Sequence, residues 1–243
     1  MLKVINTFLL LLIASYSFAQ VSVSIPVQRY IVNRISDNLS VNVMADLGAD
    51  PHTFAPKPLA VKRLEDSTIY LALGFPFEDT IKSDKVYVGV DSELDPHVWT
   101  SPKAMKEIVT NSYNALKKLG LASDSKYQEF MTEIDTYDKK FAALDTVSFL
   151  VYHPSLGHFA KDYGMTQYAI EVEGSEPKAK DLQLAIEKAR GNGVKIFIAQ
   201  PNSAAGNVKL VSKELGLAVN YIDILQEDWN DMMNKLYRAF NGE

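Results

Sequence analysis

Two of the chain's four histidines stand in the same local context, the tripeptide Asp-Pro-His. One copy ends at His52 and the other at His97, and Thr100, Ser101 and Pro102 after the second copy are typical of the start of a helix. Because proline restricts the backbone, each histidine is expected at the tip of a rigid loop. Imidazole nitrogens are common metal ligands, so the repeated tripeptide suggests that the two side chains meet at one metal ion.

A third histidine and an aspartate share a feature with His52 and His97, because all four follow a predicted strand. They are His153 and Asp223, each preceded by a run of β-branched and aromatic residues. In parallel α/β sheets, ligands bind beyond the carboxyl ends of the strands. The sequence contains no cysteine, so a metal site must use imidazole and carboxylate groups. Three imidazoles and one carboxylate suit zinc.

Strands alternate with helices in both halves of the chain, which predicts an α/β fold. We expect one parallel-sheet lobe at residues 20–122 and a second at residues 146–243. Residues 123–145 carry apolar side chains at three- and four-residue spacing and predict a long helix. This spacing alone fits both a rigid helix that joins two lobes and a surface helix of one lobe. In the first arrangement, the metal site lies in the cleft between the lobes.

The composition and the N-terminal residues indicate an exported protein. The net charge of -5 argues against nucleic acid or an anionic membrane surface as a partner. Residues 1–19 predict a secretory signal peptide, with Lys3, an apolar run at 8–14 and a small-x-small cleavage site at 17–19. Since the sequence has no cysteine, we expect a mature protein without a lipidated cysteine anchor.

Longer motifs surround the candidate ligands. They are Asp-Pro-His and Pro-Lys-Pro within 50–58, Asp-Pro-His-Val-Trp-Thr-Ser-Pro at 95–102, Tyr-His-Pro-Ser-Leu-Gly-His-Phe at 152–159, Glu-Val-Glu-Gly-Ser-Glu-Pro at 171–177, Gln-Pro-Asn at 200–202 and Tyr-Ile-Asp at 221–223. Together, and over nearly the whole mature length, these motifs resemble the periplasmic solute-binding proteins of zinc and manganese ABC importers.

The resemblance implies two α/β lobes bridged by a long, stiff helix, with the metal held between them. It also implies that His52, His97, His153 and Asp223 are the ligands of a transported Zn2+ ion. In this family, histidine at the third ligand position is typical of zinc binders and glutamate of manganese binders. His153 therefore favours zinc, although three imidazoles also accept other transition metals.

Two further residues near these ligands, His158 and Asp95, are expected to support the site rather than to bind the ion. His158 occupies a position that is usually aromatic in the family, and we expect it to pack or to orient a ligand rather than to bind the ion. Asp95 could orient a ligand by a hydrogen bond, or it could simply form the turn before proline.

The predicted function is therefore that of a periplasmic zinc-binding protein that delivers its ion to an ABC permease in the inner membrane. We expect a monomer with no nucleic-acid partner and no catalytic residues. One alternative is manganese or iron transport by the same fold. Another is a zinc hydrolase, which would need a general acid or base beside the metal, and the sequence has no His-Glu-x-x-His motif.

Overall fold

The computed structural model describes residues 20–45, 53–90, 95–171 and 176–242. The predicted signal peptide at 1–19 and the candidate ligand His52 lie outside these ranges. Among the helices within them, none is long and apolar enough to cross a membrane.

The first half of the chain forms a four-stranded parallel sheet in the order β2-β1-β3-β4. Two α-helices and an unpredicted 3-10 helix at Pro76–Thr80 complete this lobe. The apolar run at 86–90 suggests a longer strand, but β4 is only two residues long because its pairing with β3 ends at Tyr87. The elements are β1 (Gln20–Val23), α1 (Pro26–Ile35), β2 (Ser40–Val43), α2 (Pro58–Glu65), β3 (Ile69–Ala72) and β4 (Val86–Tyr87).

Two long helices follow the first sheet. The helix α3 spans Pro102–Lys117, and the Ser101 hydroxyl caps it by accepting the Lys103 backbone N–H, as the sequence predicts. The helix α4 spans Asp124–Ala142 and packs against α1 and α3.

The second half repeats the arrangement of the first. A four-stranded parallel sheet has the order β6-β5-β7-β8, and helices connect its strands. The predicted α/β class with two parallel sheets is thus confirmed. The elements are β5 (Ser148–Val151), α5 (Gly157–Asp162), β6 (Thr166–Ala169), α6 (Ala179–Gly191), β7 (Ile196–Ala199), α7 (Ala205–Leu215), β8 (Val219–Tyr221) and α8 (Trp229–Asn241). Because α4 also contacts α8, it touches both halves of the chain.

A single hydrophobic cluster contains buried residues from both sheets and from α3, α4 and α8. At its centre are two fully buried tryptophans, Trp99 and Trp229. The Trp229 indole N–H donates to the Trp99 carbonyl at 2.8 Å, and the Trp99 indole N–H donates to the Ile224 carbonyl at 2.7 Å. Buried indoles need such partners. The segment that carries His97 is therefore tied to the second half of the chain.

Serine is a common N-cap residue, so the sequence alone suggests that Ser203 caps α7, but the structure differs. The residue before the helix is Ala204, and it makes no side-chain cap. The Ser203 hydroxyl instead accepts the backbone N–H of Gln200 at 3.1 Å. Serine hydroxyls also stabilise turns in this way. Here the Ser203 hydroxyl bonds within the turn and does not cap the helix.

Candidate metal site

His97 is positioned by its own loop and by the second lobe. It is 4% exposed, and it precedes a short 3-10 helix at Val98–Thr100. The Asp95 carboxylate accepts both the His97 backbone N–H at 2.9 Å and a hydrogen bond from the ring Nδ1 at 2.7 Å. The Thr100 hydroxyl donates to the His97 carbonyl at 2.7 Å. The loop therefore holds both the backbone and the ring orientation of His97.

His153 follows β5 at the carboxyl edge of the second sheet and is oriented in the same way. Its Nδ1 lies 2.7 Å from Oε2 of Glu171, a residue that comes shortly after β6. The Glu171 backbone N–H donates to the Tyr152 carbonyl at 2.9 Å, so the pairing of β5 and β6 brings this carboxylate beside the ring. Carboxylates that accept from Nδ1 direct Nε2 towards a metal in many metal sites.

The two rings, one from each lobe, meet through their Nε2 atoms. His97 Nε2 and His153 Nε2 are 3.3 Å apart, and the ring planes are nearly perpendicular, at 84°. Two imidazole nitrogens that bind one tetrahedral Zn2+ at 2.0–2.1 Å would be separated by about 3.3 Å. The spacing of the two nitrogens is thus that of a shared tetrahedral ion.

The hydrogen bonds of the two rings also indicate which ring nitrogen carries the proton. Each Nδ1 faces a carboxylate, which only accepts hydrogen bonds when ionised, so each Nδ1 carries a proton. In a neutral ring the lone pair is then on Nε2. Two such lone pairs at this distance repel each other, and a cation or proton between them removes the repulsion. The arrangement therefore favours a positive ion at this point.

Asp95 connects the His97 loop to the second lobe. Burial raises the pKa of its carboxyl, but the hydrogen bonds and charge of His97, together with the charge of His158, lower the pKa by more, so it lies below the usual value. Its Oδ2 accepts the backbone N–H of Gly157 at 3.1 Å. The His158 Nε2 lies 2.7 Å from the Asp95 backbone carbonyl. Both residues predicted to have supporting roles thus contact the ligand loop.

Asp223 follows β8, as expected, and stands at the same edge of the second sheet as His153. Its Oδ1 accepts the backbone N–H of Leu225 at 2.9 Å. Within the described ranges, no three His, Asp or Glu side chains are grouped closely enough to hold a metal ion. The structure therefore brings His97 and His153 together but leaves Asp223 in its own turn, and His52 lies outside the described residues.

Glu171 is the functional residue that sequence reasoning missed. The sequence places it in a motif, yet no role follows from the motif alone. Of its acidic neighbours, Glu176 is exposed, and Glu173 lies outside the described residues. The available signal was topological, because Glu171 follows a strand that pairs with the strand before His153.

The family model described as "ZnuA: Zinc-uptake complex component A periplasmic" matches residues 21–242. The chain belongs to this family. The predicted membership of the zinc branch of periplasmic metal solute-binding proteins is confirmed, and this is a family of transport components rather than of enzymes.

Individual ZnuA-family relatives agree with this assignment. A crystal structure of ZnuA has a TM-score of 0.80 and 26% identity, over 91% of this chain and 97% of that chain. A ZnuA deletion mutant with zinc bound has a TM-score of 0.77 and 27% identity, over 92% and 98% of the two chains. The zinc-binding protein AdcA of Streptococcus pyogenes is 22% identical over 83% of this chain and 49% of its own length. The chain thus spans about half the length of the first curated relatives it matches.

Proposed function

We propose that this protein captures Zn2+ and delivers it to an ABC-type permease, with His52, His97, His153 and Asp223 as ligands. The observation that carries the proposal is the 3.3 Å separation of the His97 and His153 Nε2 atoms, with each opposite nitrogen held by a carboxylate. The family membership and the zinc-bound ZnuA relative support the same ion.

Capture depends on the preformed orientation of the two rings. Asp95 and Glu171 hold the two rings in the tautomer in which Nε2 can bind the ion. Little side-chain entropy is therefore lost when the ion binds. Two further ligands, His52 and Asp223, would complete a tetrahedral shell. A closed shell leaves no open position for a catalytic water, which is the difference between a structural or carrier site and a hydrolase site.

Zinc is favoured over manganese by the donor atoms. Imidazole nitrogen suits zinc, whereas manganese prefers carboxylate, carbonyl and water oxygens. His153 stands at the position that would distinguish the two metals. It offers an imidazole nitrogen to the ion, and Glu171 holds its ring through Nδ1. The carboxylates at the described site thus orient the imidazoles.

Export and delivery complete the proposal. Residues 1–19 would direct the chain out of the cytoplasm and be removed, and the mature, non-lipidated protein would act as a monomer in the periplasm. Mass spectrometry of the exported protein tests the processing. An N-terminus at Met1 in that protein would contradict it.

Elemental analysis after metal loading tests the site. We expect stoichiometric zinc in the wild type and its loss in His97→Ala and in His153→Ala. The matched control is His158→Ala, which removes an imidazole next to the site without removing a proposed ligand, and it should retain the ion. Unchanged zinc in both ligand variants would refute the site, and an excess of manganese over zinc in the protein as purified would refute the choice of metal.

A further inference from the structure

Gln200 stands between two of the proposed ligands at the carboxyl edge of the second sheet. It directly follows β7, whose neighbours in the sheet are β5 and β8. Val151 pairs with Ile198, so the register continued by two residues puts His153 opposite Gln200. On the other side, β8 leads into Asp223.

The alternation of side chains places Gln200 on the face of the sheet that meets the first lobe. Ile198 belongs to the hydrophobic cluster shared by both lobes, whereas Ala199 belongs to the cluster on the opposite face. Side chains in a strand alternate with a period of two, so the Gln200 side chain is expected on the same face as Ile198, the face shared by both lobes. By the same rule, the His153 side chain is expected on the face of Val151, which is also the shared face.

The backbone of Gln200 is fully hydrogen-bonded, but its side chain is not. Its backbone N–H donates to the Ser203 hydroxyl at 3.1 Å, and its carbonyl accepts the Ser203 N–H at 3.0 Å. The side-chain Nε2 is buried and has no acceptor among the described residues. An unsatisfied buried donor costs free energy and is unusual in a native protein, so it requires an explanation.

A candidate acceptor follows the neighbouring strand β8. Ala199 pairs with Tyr221, so the continued register puts Gln200 opposite Ile222 and one residue from Asp223. Asp223 uses Oδ1 to accept the Leu225 N–H, and no hydrogen bond to its Oδ2 is present in the described part of the chain. A carboxylate that binds a metal through one oxygen is commonly held by a hydrogen bond to the other. An amide donor beside it is suited to this task.

We propose that Gln200 is a positioning residue of the metal site, whose Nε2 donates to the Asp223 carboxylate when that carboxylate binds Zn2+. This inference rests on the proposed function. Because the donor has no acceptor among the residues that the structure describes, the bond forms only as Asp223 turns towards the ion. It therefore adds to zinc affinity and contributes nothing to the stability of the zinc-free protein.

The first test compares Gln200→Leu with the wild type in a chelator-competition titration with Zn2+. We expect the affinity to fall by about 10- to 100-fold, the usual effect of removing a residue that orients a ligand. The thermal midpoint of the zinc-free protein should not fall, because the substitution removes a buried unpaired donor. The matched control is Asn202→Ala, an exposed residue of the same loop, which should leave both quantities unchanged. Wild-type affinity in Gln200→Leu would overturn the inference.

Two further variants separate this role from others. In an Asp223→Ala background, Gln200→Leu should have no additional effect on affinity, and a full additional loss would overturn the inference. Gln200→Glu keeps an oxygen but replaces the donor by a negative charge, so it should weaken zinc binding. Equal or tighter binding by Gln200→Glu would instead mark residue 200 as a direct ligand and overturn the positioning role.

The failure of this inference is distinguishable from the failure of the proposed function. If His97→Ala, His153→Ala and Asp223→Ala all retain zinc, the site itself is wrong. If these three variants bind zinc more weakly than the wild type while Gln200→Leu binds it like the wild type, only the role of Gln200 is wrong.

Discussion

At the scale of single residues, two carboxylates decide how the imidazoles can act. Asp95 and Glu171 each lie 2.7 Å from a ring Nδ1, and this leaves the Nε2 lone pairs of His97 and His153 facing each other. The ligand geometry is therefore present before an ion arrives. A change that disturbs this orientation, or that protonates Nε2, should lower zinc affinity.

Glu171→Gln should lower zinc affinity by about 10- to 100-fold, because an amide holds the His153 tautomer less strongly than a carboxylate does. A chelator-competition titration measures the change. Glu129→Gln, at an exposed position in α4, is the control and should bind zinc like the wild type. Equal affinity in the two variants would mean that Glu171 does not orient the ligand.

Acidification should release the ion. Protons compete with zinc for Nε2, so zinc affinity should fall as the pH is lowered. Lowering the pH from about 7.5 to about 5.5 should therefore weaken zinc binding, because an imidazole must be neutral to bind the ion. Calorimetric zinc titrations at both pH values measure this, and a pH-independent affinity would exclude imidazole ligands.

At the scale of elements, α5 of the second lobe approaches the His97 loop of the first lobe closely, and this contact fixes the relative position of the two lobes. A Cβ atom on Gly157 would come within 2.5 Å of the Asp95 Oδ2, so a larger residue would force that carboxylate to shift from its hydrogen bond with the residue 157 backbone. Nearby, the Thr100 hydroxyl donates to the Ser155 carbonyl at 3.1 Å, and the Ser101 hydroxyl contacts the Asp162 carboxylate. These bonds connect the start of α3 to the loop after His153.

Gly157→Ala should destabilise the zinc-free protein by about 1–3 kcal/mol, through overpacking against Asp95, and should also weaken zinc binding. Gly206→Ala is the matched control, because a Cβ at that position in α7 meets nothing within 4 Å among the described residues. Alanine should stabilise that helix by about 0.5–1 kcal/mol. Chemical denaturation measures both variants, and a neutral Gly157→Ala would show that Asp95 tolerates displacement.

At the scale of the whole molecule, the shared core limits how far the lobes can move. One hydrophobic cluster runs through both sheets, and α4 contacts α1, α3 and α8. The indole hydrogen bonds from Trp229 to Trp99 and from Trp99 to Ile224 cross the same interface. A hinge motion would have to break these buried contacts. We therefore expect the ion to bind with local shifts rather than with closure of the lobes.

Small-angle scattering with and without Zn2+ tests this expectation. The two curves should coincide, with the same radius of gyration, while intrinsic tryptophan fluorescence reports that the ion has bound. A smaller radius of gyration in the zinc-bound protein would indicate domain closure. It would also mean that α4 does not act as the stiff connection predicted between residues 20–122 and 146–243.

Local patterns in the sequence predict most of the elements and the candidate ligands. Alternating strands and helices, the cap at Ser101 and the two Asp-Pro-His motifs follow from backbone and side-chain preferences of neighbouring residues. The arrangement of the candidate site, by contrast, appears only in the tertiary structure. The contact between His97 and His153 joins positions 56 apart, the contact of Trp99 with Ile224 joins positions 125 apart, and the role of Glu171 depends on strand pairing. Such distances arise from the packing of whole sheets and helices, which no short stretch of sequence specifies.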